Sequence, residues 1–147
     1  LLARTNNTYD IWNVAGSPVI LGSRQSVQDV IDVLQGNATA STEYNSLLSQ
    51  ANTEGSLYQE LTVKTNNSTL PADQRYMDIK KLDDGSYSQT FLFLNPESNF
   101  TDEIKALQAN STERGVTYNV TTSGNITKMM ITSDFRSLLN ETEMLSQ

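Results

Sequence analysis

The sequence predicts an α+β fold: a single domain in which an antiparallel sheet carries amphipathic helices packed on one face. Three observations carry this expectation. Several runs of roughly eight residues alternate apolar and polar side chains, the period of a strand with one buried face. Two pairs of such runs are joined by short turns rich in Asp, Gly and Ser, which demand antiparallel pairing. Stretches with apolar residues at helical spacing lie between them, and amphipathic helices need a sheet face to cover. The 147 residues make one ordinary domain, 1–147, and no linker, low-complexity tract or fixed-period repeat divides them.

In chain order, strands are expected at 9–14 and 18–21, parted by Gly16 and Ser17. Residues 1–14 also read as an extended N-terminal strand or arm. Leu1, Leu2, Ile11, Trp12 and Val14 flank a polar middle there, as in a strand donated to a neighbour's sheet. The first helix has Ser26 as its expected cap, Asp29 three residues on, a stripe of Val27, Val30, Ile31 and Leu34, and Gly36 as its stop. A second helix is expected over 42–51, burying Tyr44, Leu47, Leu48 and Ala51.

"SLYQELTVK" then alternates as a strand, and 65–74, with its Pro71, reads as an exposed loop. The clearest hairpin is "RYMDIKKL", the turn Asp83-Asp84-Gly85-Ser86, and "YSQTFLFL", closed by Pro96. Thr101 is the expected cap of a helix over 102–109, whose Asp102 and Glu103 suit the positive end of the helix dipole. A second hairpin, 116–122 and 126–132 around Ser123-Gly124, precedes a final helix over 135–144. Its stripe is Phe135, Leu138, Leu139, Thr142 and Leu145.

Composition excludes more chemistry than it provides. With no Cys and no His, the chain has no disulfide, no thiolate nucleophile, no His-based metal site and no His-dependent triad. The net charge is -7 and the ten Lys and Arg are scattered, whereas a nucleic-acid partner requires clustered positive charge. No run approaches the ~20 apolar residues of a membrane span. "LLARTNNTYD" has no basic region followed by an apolar stretch, so it does not read as an intact signal peptide, and a secreted chain is read here in mature or trimmed form.

No Ser-x-x-Lys, Gly-x-Ser-x-Gly or phosphate-cradling glycine loop occurs, and no spacing singles out a pair of carboxylates. The chain is therefore not expected to be an enzyme, and no catalytic residue, cofactor or metal is assigned. Asp83 and Asp84 with Gly85 can offer oxygens to calcium, yet Asp-Asp-Gly is also ordinary turn chemistry and a calcium site takes six or more oxygens. Tyr9, Trp12, Tyr44, Tyr58, Tyr76, Tyr87, Phe91 and Phe93 can stack on a ligand, though aromatics at alternating strand positions are usually core. Trp12, near one end of the chain, is the one placed for an edge or interface.

"GVTYNVTTSGNITKMMI" carries the informative motif twice. Asn-X-Ser/Thr, the signal for N-linked sugar, begins at Asn6, Asn37, Asn66, Asn67, Asn99, Asn110, Asn119, Asn125 and Asn140. Those are nine of 14 asparagines, where the Ser and Thr content gives about three by chance. A generic Asn/Thr-rich composition is the competing explanation. A glycan is bulky and hydrated, so its asparagine must face water. Asn119 falls opposite the face formed by Val116, Tyr118 and Val120, Asn140 points away from the last helical stripe, and Asn37, Asn66, Asn67 and Asn110 fall at expected loops.

Dense sequons, acidity and the lack of cysteine together resemble archaeal N-glycosylated cell-envelope proteins, of the surface-layer, surface-filament or surface-lipoprotein type. "VILGSRQSVQDVIDVLQGN" followed by "YNSLLSQANTEGSLYQEL" is similar to a segment of such surface domains, within residues 17–63. The resemblance implies a location, extracellular and at the cell surface, more than an activity. The function expected is that of a heavily N-glycosylated structural protein that self-assembles with copies of itself into a surface layer or filament. The alternative is a monomeric extracellular module that binds a ligand or a partner.

Overall fold

The computed structural model describes the backbone of residues 2–6, 11–15 and 19–145, and the side chains of 11–15 and 19–142. The strand start expected at Tyr9 and the turn at Gly16 and Ser17 lie outside the described residues. The α+β class holds, with eight strands in two antiparallel sheets and four α-helices among the described residues. The backbone contacts group into two compact units, 1–43 and 44–147.

In the first unit, β1 (Leu2–Asn6), β2 (Ile11–Ala15) and β3 (Ile20–Ser23) form a sheet in that order, and α1 (Arg24–Leu34) packs on β2 and β3. The stretch read as an arm is thus a strand of its own chain's sheet, with Leu2 opposite Ala15 and Asn6 opposite Ile11. Its pairing with β2 already occupies one of its hydrogen-bonding edges. The cap of α1 is Ser23 rather than Ser26: the chain leaves β3 extended (φ -61°, ψ 157°), and Ser23 Oγ accepts from the Ser26 amide at 3.2 Å. Gly36 does end the helix, in the left-handed region at φ 76°, with its amide on Val33 O. Only Val27 of the expected stripe is buried; Val30 is 42% and Leu34 59% exposed, because one short helix covers little of itself against three short strands.

The second unit contains α2 (Asn45–Leu48), β4 (Ser56–Val63), β5 (Gln74–Lys81), β6 (Tyr87–Leu94), α3 (Ser98–Ala109), a 3-10 turn (Thr112–Arg114), β7 (Thr117–Ser123), β8 (Ile126–Ser133) and α4 (Phe135–Leu145). The sheet order is β4-β5-β6-β8-β7, antiparallel throughout, so β6 and β8 are interior strands while β4 and β7 are edges.

Phe91, Leu92, Phe93 and Leu94 of β6 are all buried, the mark of a strand covered on both faces. On one face Phe91 and Phe93 join Met77, Met129 and Ile131 beneath Phe100 and Ile104 of α3 and Leu138 of α4. α3 and α4 therefore share a face, whereas α2, which the sequence places with them, lies on the other. The opposite face is also apolar at its centre, and there Leu47 of α2 covers Tyr76, Leu92 and Leu94.

Two element boundaries and one strand register differ from those expected. The helix over 42–51 shrinks to the single turn of α2, since Asn45, Ser46, Ser49 and Asn52 favour turns over helix interiors. α3 starts at Ser98, before Thr101, because Phe100 packs into the core, edge-on to Phe93 at 4.7 Å, and carries the preceding residues into the helix. In β4 the register shifts between Ser56 and Tyr58, and Leu57 is left 66% exposed.

Candidate modification sites

All eight sequon asparagines with described side chains, Asn37, Asn66, Asn67, Asn99, Asn110, Asn119, Asn125 and Asn140, are exposed. The side chain of Asn6 lies outside the described residues. Asn13, Asn45, Asn52 and Asn95 carry no sequon and are exposed too, so exposure alone does not separate the two sets. The sites occupy different settings. Asn37 follows the left-handed Gly36, Asn66 and Asn67 lie in the β4–β5 loop, Asn99 and Asn110 are at the two ends of α3, Asn119 is on the edge strand β7, Asn125 is in the β7–β8 turn and Asn140 is on α4.

The hydroxyl residue that completes each sequon varies more than the asparagine. Thr39, Thr69, Thr112 and Thr121 are exposed. Ser68, which completes the sequon of Asn66, is half-buried and accepts from the Leu70 amide at 3.1 Å. Thr101 is half-buried beside the core residue Phe100. Thr127 is 1% exposed, on the interior strand β8, with its hydroxyl 3.2 Å from that of Thr122. The Thr142 hydroxyl lies 2.8 Å from Gln89 Oε1 and 2.9 Å from Leu138 O. At Asn125 the amide nitrogen that would carry the sugar donates to Asn95 Oδ1 at 2.9 Å, leaving its second hydrogen for substitution.

The middle residue of the last sequon belongs to a buried charge network. Glu141 is 2% exposed and accepts from Arg114 Nε at 2.6 Å, from Arg114 Nη2 at 3.3 Å and from the Tyr118 hydroxyl at 2.5 Å. Arg114 Nη2 also donates to Leu107 O at 2.8 Å, so Glu141 ties the 3-10 turn and β7 to α4, and Arg114 extends the link to α3. Burial pushes the Glu141 carboxyl up, but the hydrogen bonds from Arg114 and Tyr118 outweigh it and hold the group below the usual carboxylate range. Burial, reinforced by the adjacent carboxylate, pushes the Tyr118 hydroxyl well above its ordinary value. Nothing in the spacing of Arg114 and Glu141 signals this pair in the sequence; a glutamate on the helix beside Leu138 and Thr142 was its one trace.

Asp84 uses Oδ1 to accept from the amide and hydroxyl of Ser86 at 2.9 and 2.6 Å, the local bonding of a turn. Among the described residues no group of three or more acidic side chains gathers to hold a metal. Tyr76, Phe91 and Phe93 are core, and Tyr87 packs on Phe135 with centroids 5.1 Å apart. Trp12 is half-buried with the Arg24 guanidinium 5.3 Å from its ring centre. It lines a cleft of about 330 Å³ with Arg24, Gln28 and Asp32. No described helix is long and apolar enough to cross a membrane.

No family model matches the chain, and neither a curated protein nor a solved structure matches it.

Proposed function

We propose that the chain is a heavily N-glycosylated extracellular structural protein of the cell surface, one that assembles with copies of itself into a surface layer or filament of archaeal-envelope type. The observation that carries this reading is the threefold excess of sequons, nine among 14 asparagines, spread over both compact units. The exposure of every described sequon asparagine supports it, because each can bear a sugar without repacking the molecule. Self-assembly is supported by apolar side chains left in water on the first unit: Ile11 at 42%, Val19 at 68% and Leu21 at 69% exposed, where isolated monomers keep apolar patches small.

Two measurements test it. Intact mass of the native protein before and after deglycosylation must fall by several glycan masses; a native mass equal to that of the bare chain sinks the reading. Electron microscopy of concentrated protein must then show ordered arrays or filaments. A groove of about 520 Å³ along α1, lined by Val30, Val33, Leu34, Ala38 and Ala40, favours the alternative of a binding module, although no tyrosine lines it. Glycosylated protein that stays monomeric at high concentration would select that alternative.

A further inference from the structure

A sequon is defined by its hydroxyl residue as much as by its asparagine, so the enzyme that modifies it must reach both side chains. Asn119 and Asn125 lie on one hairpin and differ in this respect. Asn119 and Thr121 are both exposed, two residues apart on the edge strand β7, whose outer side pairs with no other strand of the sheet. Asn125 is exposed, but its Thr127 sits on β8, paired to Phe93 on one side and Thr122 on the other, with a relative exposure of 1%. The neighbours on that strand, Met129 and Ile131, are fully buried. Presenting Thr127 to an enzyme requires lifting an interior strand from the sheet, an opening near the global unfolding limit. Asn140 is held by bonding rather than by an interior strand: its Glu141, 2% exposed, is locked to Arg114 and Tyr118, and its half-buried Thr142 bonds Gln89, so presenting this sequon requires undocking α4.

We infer that Asn125 and Asn140 accept sugar only before the chain folds, whereas Asn37, Asn67, Asn110 and Asn119, with exposed hydroxyl partners, remain substrates on the folded protein. This rests on the reading that the sequons are used. The step joins Asn Nδ2 to the anomeric carbon of an oligosaccharide carried as a lipid phosphate ester. The bond from that carbon to the phosphate oxygen breaks, the lipid phosphate leaves, and one amide proton passes to a base of the transferase. Modification of the two locked sites therefore has to precede closure of the β7–β8 hairpin and docking of α4.

The test compares two preparations of the full chain. In one, the unglycosylated protein is folded first and then given transferase membranes with their lipid-linked donor. In the other, the chain is synthesised in the presence of the same membranes. Site occupancy is read by peptide mass spectrometry. The folded protein should be labelled at Asn119, with Asn125 and Asn140 below about a tenth of that level, while synthesis with the membranes brings all three to similar occupancy. Equal labelling of Asn119 and Asn125 on the folded protein overturns the inference alone, as does an Asn125 that stays empty in both preparations. No labelling anywhere during synthesis overturns the glycoprotein reading, and this inference with it.

Discussion

Arg114 and Glu141, 27 positions apart, meet in a two-pronged ion pair that ties α4 to the turn after α3, with Nε 2.6 Å from Oε1. The carboxylate is almost wholly buried, while the guanidinium side chain keeps 25% of its surface in water. The partners are therefore unequal. Removing the arginine strands a charge in the interior, and removing the glutamate leaves a cation that can still reach solvent. Arg114→Met should destabilise the protein by about 3 kcal/mol, and Glu141→Leu by less. The double substitution should recover part of the loss, which a thermal or denaturant double-mutant cycle reads directly. Simple addition of the two single effects would show that the residues do not interact.

The same carboxylate shapes the acid limb of stability. Its folded pKa lies below the ordinary 4.5, so the folded state releases its proton more readily than the unfolded chain. The stabilisation is complete above pH 4.5 and fades as pH falls through the lower folded value. Glu60, held down first by the Thr62 hydroxyl and then by Arg75 and Tyr58, acts in the same sense. Tyr118 acts at the other end. Its raised pKa means that stability is present below pH 10 and falls as pH rises beyond it, where the unfolded phenol ionises first. Urea titrations across pH should give a shallower acid slope for Glu141→Gln and a shallower alkaline slope for Tyr118→Phe. Unchanged slopes would remove these groups from the account.

The parts of the fold legible in the sequence were those set by local pattern. The hairpin around Asp83–Ser86 lies where "DDGS" places it, because Gly85 adopts φ 87° and Asp84 caps the turn from within. The end of α1 at Gly36 is equally local. The failures involve contacts distant in sequence. α3 begins early because Phe100 finds Phe93, and α4 buries Glu141 while Phe135 and Leu139 of its apolar stripe remain 48% and 44% exposed. For the sequons, the asparagines were readable as exposed, but the burial of Thr127 depends on which strand ends up inside the sheet, and hairpin pattern alone does not say that.

Asp78 carries a cost that substitution should relieve. It is 2% exposed on the α2-covered face of β5; Oδ2 has long contacts of 3.4 Å to Ser56 and Tyr76 and 3.9 Å to Lys80, and Oδ1 has no hydrogen-bond partner. A buried carboxylate so weakly compensated is worth less than a neutral group of the same shape. Asp78→Asn should raise stability by about 1 kcal/mol, seen as a higher denaturation midpoint with an unchanged m-value. A fall in the midpoint would mean that the Lys80 contact is stronger in solution than its 3.9 Å separation implies.

Deleting a sequon through its threonine should have a cost that depends on the site. Thr121 is exposed on the edge strand β7, and valine there keeps the branched shape that strands favour, so Thr121→Val should remain within about 0.5 kcal/mol of the parent. Thr142 donates towards Gln89 Oε1, and Gln89 is fully buried with its amide nitrogen on Met77 Sδ at 3.2 Å. Thr142→Val withdraws that donor from a buried acceptor and should cost about 1–2 kcal/mol. Asn140→Gln abolishes the same sequon from the exposed side and leaves the Gln89 contact intact. Measured on unglycosylated protein, where sugar cannot contribute, Thr142→Val should therefore unfold well below Asn140→Gln. Equal midpoints would mean that the threonine is there for the modifying enzyme alone.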